Sequence, residues 1–526
     1  MSATPDRNVP ARRWNRRHFL LTGGALVAWP VMAAPVSAAF RRQVKLKDQP
    51  FQLGVASGEP TPDGFVLWTR LAPEPTTGGG MPEENVEVAW QVASDEQMTK
   101  VVARGTAIAS PEVAHSVHVE VAGLEPARWY WYQFSAVGDT SPIGRVRTTP
   151  PAGELPQRLR FAFASCQHYE HGFFTAYEHM AQEDLDLIVH LGDYIYEYGG
   201  GNKKTVRQHV GRKCNALEDY RNRYAQYRTD PHLQAAHRLF PWLVTWDDHE
   251  VENNYAGSVS EDPRLEPAKL LERRARAYQA YYEHMPLRRA QFPSGPDMRL
   301  HRRAGFGRLA EFAVLDTRQY RTDQPCGDDN KPPCQEVYDP KATLLGDAQE
   351  QWLYDGLKAS PAKWNVLAQQ VMMGRVDRVP GETIAFSMDQ WPGYEVNRQR
   401  VLKFFAENKA LNPIVLTGDI HSNWVNNLQV NCEQADSPIV ATEFVGTSIS
   451  SGGDGTENGK TTAGVLAENP FVKFYNGERG YVSCEVTPEK WVSHYRTIPF
   501  VTRPGAPLAT RKSFVVEDGR PGAQTI

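Results

Sequence analysis

The sequence has little excess of charge of either sign, few cysteines and no internal repeats. Its 58 lysine and arginine residues nearly balance 62 aspartate and glutamate residues, for a formal net charge of -4. A nucleic-acid-binding surface usually shows as a basic stripe, so this balance gives no evidence for one. Beyond the N-terminal segment no stretch is long and apolar enough to span a bilayer. What remains is a chain of 526 residues, long enough for two domains.

The N-terminal segment, residues 1–39, is predicted to be an export signal. A basic start precedes a moderate apolar run, and small residues suited to cleavage lie near Ala39. The pair Arg16-Arg17 is typical of the twin-arginine route. The alternative is a membrane anchor, but the apolar run over 19–34 is short and interrupted by glycine and proline. We therefore expect a periplasmic or secreted protein without a stable membrane anchor, exported by the twin-arginine machinery.

The six cysteines fit an oxidising compartment only in part. Cys326 and Cys334 flank the polar stretch "GDDNKPP", which a local disulfide could close. Cys432 and Cys484 could form a second bridge. Cys166 directly follows a predicted strand, and its position raises a different question.

Two regions of different character follow the export signal. From 43 to 149, short alternating runs separated by turn residues predict an N-terminal β-sandwich like those of immunoglobulin or fibronectin modules. A proline-rich linker comes next. From 158 to 515, strands alternate with helical stretches such as "EPAKLLERRARAYQAYYEHM", which is typical of an α/β fold.

Four of the predicted strands in the second region end in residues that could bind a metal ion. Ligands of open α/β sheets bind at the carboxyl ends of the strands, so these four ends are expected to share one site. A single such ending could be turn chemistry, because aspartate favours turns. The residues at the four ends are Cys166, Asp193, Asp248, His249, Asp419 and His421.

The side chains at these strand ends fall into two chemical sets. Cys166, His421 and the nearby Tyr196 offer sulfur, nitrogen and phenolate donors, which suit a Lewis-acidic transition metal. The aspartates offer only carboxylate oxygen, which suits a hard cation, and Asp193 is the natural bridge between two metals. Clustered aspartates repel one another without cations. The alternative for Cys166 is a small buried apolar residue, and His190 is interpreted as a core histidine.

Three motifs carry a resemblance to a known family. "GDYIY" (192–196), "DDHE" (247–250) and "GDIH" (418–421) are similar to the motif series of the metallophosphoesterases. The Asp-x-x-Tyr spacing is that of purple acid phosphatases, whose tyrosine binds ferric iron. With "FQLGVASGEPTPDGFVLWTRL" and "WDDHEVENNYAG", the chain resembles the PhoD-type alkaline phosphatases over nearly all of its mature length. That resemblance implies an α/β four-layer αββα metallophosphoesterase sandwich, preceded by an all-β immunoglobulin- or fibronectin-like sandwich.

The departures from the purple-phosphatase pattern bear on the metals. Cysteine replaces the first aspartate, and oxygen donors replace nitrogen or neutral amide around the second metal, which favours calcium. In place of the expected histidine at the end of the fourth strand stands Gln369 or Gln370. The resemblance implies Fe3+ and Ca2+, with a second Ca2+ for which Asn253 is a candidate. The implied ligands are Cys166, Asp193, Tyr196 and His421 for Fe3+, and Asp193, Asp248 and Asp419 for Ca2+.

The expected function is that of an exported, metal-dependent alkaline phosphatase, in which a metal-activated oxygen attacks the phosphorus of phosphate monoesters, with diesters as a further substrate class. His249 is expected to contact phosphate or to protonate the leaving oxygen, with a structural histidine as the alternative. Guanidinium groups suit phosphate. Most of the three arginines Arg221, Arg223 and Arg228 are expected to be ordinary charges on a helix surface, and the candidate for a phosphate clamp is Arg228.

Two other functions remain open from the sequence. One is a phospholipase D-like or teichoic-acid phosphodiesterase on the same metal core, which would differ in how far the pocket is closed over the metals. The other is a secreted binding protein whose metals are structural. The expected partners are a phosphate-ester substrate and the export machinery.

Overall fold

Two large mixed β-sheets form the framework of the chain, which a computed structural model describes at residues 46–201, 204–408, 410–434 and 436–526. These residues belong to one unit with bounds at 45 and 526. The predicted export signal, residues 1–39, lies outside the described residues. Among the helices that are described, none has the length and apolar character needed to cross a membrane.

The N-terminal region, up to residue 150, is rich in strands, as predicted. The strands described in it are β1 (Val55–Thr61), β2 (Gly64–Arg70), β3 (Val86–Ala93), β4 (Val101–Ala109), β5 (Ser116–Val121), β6 (Trp129–Ala136), β7 (Asp139–Thr140) and β8 (Gly144–Arg147).

The rest of the chain alternates strands and helices. Its strands are β9 (Leu159–Ala164), β10 (Leu187–Leu191), β11 (Pro241–Thr245), β12 (Arg302–Phe306), β13 (Ala310–Val314), β14 (Asn330–Lys331), β15 (Trp364–Ala368), β16 (Phe386–Ser387), β17 (Pro413–Thr417), β18 (Asn423–Gln429), β19 (Ile439–Val445), β20 (Val472–Asn476), β21 (Arg479–Val486), β22 (Lys490–Ile498), β23 (Ala509–Glu517) and β24 (Arg520–Thr525). Its α-helices are α1 (Thr175–Met180), α2 (Leu217–Arg228), α3 (Pro231–Leu239), α4 (Pro267–His284), α5 (Gly346–Ala359), α6 (Glu395–Asn408) and α7 (Thr462–Glu468).

The larger sheet has ten strands in the order β24-β23-β22-β21-β9-β10-β11-β1-β2-β5. Strands β9, β10 and β11 are parallel, and β21 and β22 form the expected antiparallel hairpin. The smaller sheet has seven strands in the order β12-β13-β15-β17-β19-β18-β20, with a parallel centre from β13 to β19. All parallel strands of a sheet direct their carboxyl ends to the same edge, where ligands bind.

The two sheets pack against each other through one apolar cluster, and helices cover their outer faces. In β9, Phe161 and Phe163 point into the cluster between the sheets. Ala162 and Ala164 of the same strand face α1, α2, α3 and α4. Helices α5 and α6 pack on the outer face of the smaller sheet. Strands covered on both faces read as continuous apolar runs, which is why the sequence of β10 shows no alternation.

The N-terminal strands divide between two sheets. Strands β1, β2 and β5 extend the ten-stranded sheet, since β1 pairs in parallel with β11. Strands β3, β4, β6, β7 and β8 form a separate sheet, and a shared apolar cluster fills the space between the two. The indole of Trp68 in β2 also donates a 3.0 Å hydrogen bond to the carbonyl of Glu283 in α4. The N-terminal region is therefore joined to the α/β region by backbone pairing as well as by side chains.

One of the two suggested disulfides is present. Cys326 and Cys334 are bonded, with Cα atoms 5.9 Å apart. The suggested bridge between Cys432 and Cys484 is wrong, because both cysteines are free. Cys484 points into the core from β21, where its sulfur lies 3.5 Å from the hydroxyl of Ser493.

The pairing of β1 with β11 predicts that the α/β region does not fold alone. A chain of residues 151–526 would leave β11 as an unpaired edge and would expose the apolar residues that Trp68 covers, and such edges promote aggregation. We expect this fragment to be insoluble or to lack a cooperative thermal transition by circular dichroism. A chain of residues 45–526 is the control and should unfold cooperatively. A soluble 151–526 fragment with a sharp transition would contradict the continuity of the sheet.

Candidate metal centre

The carboxyl ends of strands from both sheets meet in one crevice. Cys166 follows β9, Asp193 follows β10, Asp248 follows β11, and Asp419 follows β17 of the smaller sheet. The backbone amide of Cys166 donates to the carbonyl of Gly192, with a distance of 3.1 Å. The backbone links the first two of these strand ends directly, so the residues that follow them are held in register.

Four of the predicted ligands have a left-handed backbone conformation. Non-glycine residues with positive φ cost on the order of 1–3 kcal/mol each, and they cluster at functional sites. Short turns that leave a strand and reverse at once require this geometry, which aims each side chain back toward the crevice. These residues are Cys166 (φ 59), Asp193 (φ 56), Asp419 (φ 64) and His421 (φ 56).

The softer donors predicted from the sequence lie together. The ligand atoms of Cys166, Asp193 and His421 lie within 4.8 Å of one another. The phenol of Tyr196 donates a 2.8 Å hydrogen bond to Asp193 Oδ2 and lies 3.2 Å from His421 Nε2. The hydroxyl of Ser451 also donates to the Tyr196 oxygen, at 2.7 Å. All four donors are therefore placed to share one ion.

The acidic donors form an adjoining group. Carboxylate oxygens of Asp247, Asp248 and Asp419 lie within 4.8 Å of one another, and Asp193 approaches Asp248 and His249 within the same limit. Asp193 Oδ1 and Asp247 Oδ2 are buried without a hydrogen-bond partner. A buried carboxylate oxygen is normally paired, so these two unpaired oxygens fit a bound cation.

The pKa values indicate which side chains of this centre are protonated when no metal ion is bound. Burial, together with the Asp193 carboxylate, raises the pKa of the Cys166 thiol and of the Tyr196 phenol well above their ordinary values. Burial lowers the pKa of His421 to about 3. Burial and the neighbouring Asp389 raise the pKa of Asp419 to about 6. His421 is thus a neutral donor, whereas the thiol and the phenol need a cation in order to ionise.

Glu250 positions the first two acidic strand ends. Its carboxylate accepts backbone N–H groups from Asp193 (3.1 Å), Tyr194 (2.5 Å) and Asp247 (2.8 Å). One buried side chain thus ties the turn after β10 to the turn after β11. Burial outweighs these hydrogen bonds and raises the pKa of Glu250 to about 7.

His249 lies beside these metal-ligand candidates, and Glu197 and Tyr196 fix the position of its ring. Its Nδ1 lies 2.8 Å from a Glu197 carboxylate oxygen, and its ring packs on that of Tyr196 with centroids 4.1 Å apart. Burial alone would lower the pKa of the imidazole. Asp248, Asp193 and Glu197 outweigh burial and hold the pKa of His249 well above its ordinary value. The histidine is therefore a cation that could give up a proton.

Asn253, the candidate ligand for a second calcium, points elsewhere. Its side-chain amide donates to Glu261 at 2.8 Å, and its oxygen lies 3.4 Å from the Tyr198 hydroxyl. The next residue lies closer to the acidic group, because the backbone N–H of Asn254 donates to Asp248 Oδ2 at 2.7 Å. The structure thus places the Asn253 side chain against Glu261 and Tyr198 and not among the acidic donors.

Arg228 does not serve the crevice either. It ends α2, and its guanidinium is fully buried on the ring of Trp68, 4.0 Å from the centroid. The helix turns this side chain toward the N-terminal strands, so the prediction of a phosphate clamp here is not supported. Arg221 pairs with Glu283, and Arg223 donates to the carbonyls of Tyr196 and Tyr198. Arg223 thus braces the backbone around Tyr196.

Several side chains at the centre were not predicted as site residues. Arg318, which follows β13, donates to Asp247 and to Asp389. Glu197 and Glu250 hold the histidine and the strand ends. Glu250 lies within the DDHE motif and Glu197 directly follows GDYIY, whereas the signal for Arg318 was the polar stretch "DTRQY" after β13, a strand that also ends at the ligand-binding edge of its sheet.

Comparison with known proteins identifies the family and supports the fold. Residues 161–495 match the PhoD-like phosphatase family, and residues 36–150 match the PhoD-like phosphatase N-terminal domain. Alkaline phosphatase D of Bacillus subtilis (strain 168) is 52% identical over 525 residues, which cover 98% of this chain and 89% of that protein. A solved structure of PhoD superposes with a TM-score of 0.90 at 52% identity, covering 92% of this chain and 93% of the other.

Fold, site and similarity together define a phosphoric ester hydrolase. The chain belongs to the PhoD-like phosphatase family, and its substrate is accordingly a phosphate ester. The alternative of a binding protein is thereby set aside.

Gly192 is the position at which the crevice tolerates no side chain. Its φ is 105°, and a Cβ there would lie 2.5 Å from both Asp247 N and Asp247 Cβ. We expect Gly192→Ala to lower the free energy of unfolding by roughly 2–4 kcal/mol, measured by urea denaturation. Gly211→Ala is the control, because Gly211 also has positive φ but nothing lies within 4 Å of its Cβ position. Equal losses in the two variants would contradict a steric requirement at residue 192.

Proposed function

We propose that this phosphatase depends on Fe3+ and Ca2+ bound at the crevice. Fe3+ would be held by Cys166, Asp193, Tyr196 and His421, and Ca2+ by Asp193, Asp248 and Asp419. The observation that carries the proposal is the arrangement of the donors in two sets that meet at Asp193. The softer set suits a transition metal, and the set of carboxylates suits a hard cation.

The metals would supply two kinds of chemistry when bound: they lower the pKa of coordinated water and offset charge on the phosphoryl oxygens. The chain would supply the proton and the geometry. The Nδ1 of His249 faces Glu197, which leaves Nε2 to donate a proton toward the leaving oxygen, and the raised pKa of the imidazole favours its protonated form. General acids contribute about 10²–10⁴-fold to rates.

The finer description of the fold and its location belong to the same proposal. We take the two sheets and their helices as a four-layer αββα sandwich, because each sheet has one face on the shared cluster and helices on the other. The N-terminal strands would form an immunoglobulin-like sandwich. The twin arginines at 16 and 17 support export to the periplasm or beyond.

Tyr196 gives a direct test of iron. A phenolate bound to Fe3+ absorbs visible light, so the purified protein should contain iron by elemental analysis and be coloured. We expect Tyr196→Phe to lose the visible band. Tyr194→Phe is the control from the same motif, because its hydroxyl instead lies 2.8 Å from His237. Protein that binds no iron, or a band that persists in Tyr196→Phe, would refute the proposed iron site.

The proton-donating role of His249 predicts a dependence on the leaving group. His249→Gln should lower kcat about 10²–10⁴-fold for an alkyl phosphate, whose leaving oxygen needs a proton, and much less for a nitrophenyl phosphate. Steady-state kinetics on both esters measures this difference. His232→Gln, on the exposed side of α3, is the control and should change neither rate. If His249→Gln slowed both esters equally, His249 would not be the general acid.

A further inference from the structure

Arg318 is a fully buried arginine among the carboxylates of the metal centre. It donates through Nε to Asp247 Oδ1 at 2.5 Å, and through its two terminal nitrogens to both oxygens of Asp389, at 2.7 and 2.8 Å. The same guanidinium lies 3.8 Å from Asp248 and 3.9 Å from Asp419. It therefore lies within 4 Å of four aspartate carboxylates, those of Asp247, Asp248, Asp389 and Asp419.

The backbone holds Arg318 in place independently of these carboxylates. The carboxylate of Asp316 accepts the backbone N–H groups of Arg318 (3.0 Å) and Gln319 (2.9 Å). The next residue back, Thr317, is bound through its N–H and its hydroxyl to the Gln370 oxygen. The guanidinium thus projects from a turn that is fixed at the end of β13, on the ligand-binding edge of the smaller sheet.

Arg318 is not arranged to clamp phosphate. A clamp needs a free guanidinium fork, whereas here Asp389 occupies the fork and Asp247 occupies Nε. Asp389 is itself fixed, since it also accepts from Arg321 at 2.6 Å and from Gln324 at 2.8 Å. Asp389 therefore anchors Arg318. The positive charge of the guanidinium then also attracts the carboxylates of Asp247, Asp248 and Asp419.

The charges around this arginine leave a formal excess of negative charge. Asp247, Asp248, Asp389 and Asp419 bring four negative charges, and Arg318 and Arg321 bring two positive charges. The formal remainder is -2, which is the charge that one divalent cation offsets. Without Arg318 the remainder would be -3, and the aspartates would attract a divalent cation more strongly while losing their fixed positions.

We propose that Arg318 is a positioning residue that acts as a tethered cation: it holds Asp247 in place and weakens the affinity of Asp248 and Asp419 for calcium. The inference rests on the proposed calcium site. It assigns to one arginine the task of offsetting the repulsion among the aspartates and holding them in position in the absence of calcium, at the expense of tight calcium binding. The charge and the fork of the guanidinium do separate parts of that task, so two substitutions can distinguish them.

The test is calcium titration of the full chain, by calorimetry and by thermal melting, after removal of calcium with a selective chelator. Arg318→Gln removes the charge, and we expect calcium to bind at least about tenfold more tightly than to the wild type. Arg318→Lys keeps the charge but loses the fork, and its affinity should stay within about threefold of the wild type. Both variants should have a lower Tm without calcium, and only Arg318→Gln should regain most of it when calcium is added.

Arg302→Gln is the matched control. Arg302 is also buried and binds a carboxylate, that of Glu59, through two nitrogens, but it belongs to β12 and not to the crevice. Its loss should lower Tm with no change in calcium affinity. A calcium response equal to that of Arg318→Gln would show that any lost buried ion pair has this effect, and would overturn the proposal.

Each remaining outcome also decides the question. Equal calcium affinities in Arg318→Gln and Arg318→Lys would refute the role of the charge. If Arg318→Gln folds only when millimolar calcium is present, the proposal is supported, and if it fails to fold even then, the proposal is wrong. A wild type that binds no calcium would instead refute the proposed metal centre, and this inference with it.

Discussion

The crowding of carboxylates at one edge of two packed sheets is the constraint on which the rest of the structure depends. Asp247, Asp248 and the half-buried Asp419 lie within 4.8 Å of one another, and the buried Asp193 lies within the same distance of Asp248. Buried like charges repel strongly, so such a group needs cations or protons. Two side chains of the chain bring positive charge to this group. Arg318 lies on the side of the smaller sheet, and His249, whose raised pKa favours its protonated form, lies on the side of the larger one.

The framework exists to bring these groups together despite that repulsion. Strands β9, β10 and β11 are apolar on both faces, so their burial between helices and the second sheet stabilises the strands to their last residue. The polar residues then begin immediately, in turns with left-handed backbone. Glu250 satisfies three backbone N–H groups in those turns, which would otherwise be buried without acceptors. Packing energy from the strands thus offsets backbone strain at the site.

The sequence predicted those parts of the site that are encoded locally. Asp193 and Tyr196 follow one strand, and the strand itself is visible as an apolar run, so their direction was predictable. Arg318 and Asp389 are 71 residues apart and meet only through the packing of loops, which no periodicity reveals. The Arg228 and Asn253 side chains lie away from the crevice for a finer reason. Arginine suits phosphate and asparagine suits calcium. The position of Arg228 on its helix, and of Asn253 in its turn, decides which way each side chain points.

The alternation of apolar and polar residues likewise could not predict that the N-terminal strands divide between two sheets. Short runs such as the one in β2 predict strands, but they do not say which strand lies alongside. The parallel pairing of β1 with β11 joins residues more than 180 apart in the chain. Trp68 then fills the space between β2, α2 and α4, and in doing so it takes up Arg228. Arg228, which the sequence offered as a phosphate ligand, is therefore packed on Trp68, because the order of strands in the sheet places β2 beside α2.

The unusual pKa values at the crevice connect metal binding to the proton. Because burial and Asp193 raise the pKa of Cys166 and Tyr196, both side chains keep their protons when no cation is near. A metal ligand must be deprotonated, so a cation that binds these two groups must displace their protons. The affinity of such a cation therefore rises with pH. The hydrogen bond from Tyr196 to Asp193 couples the two groups, since losing the phenol proton also frees the Asp193 carboxylate to face a cation.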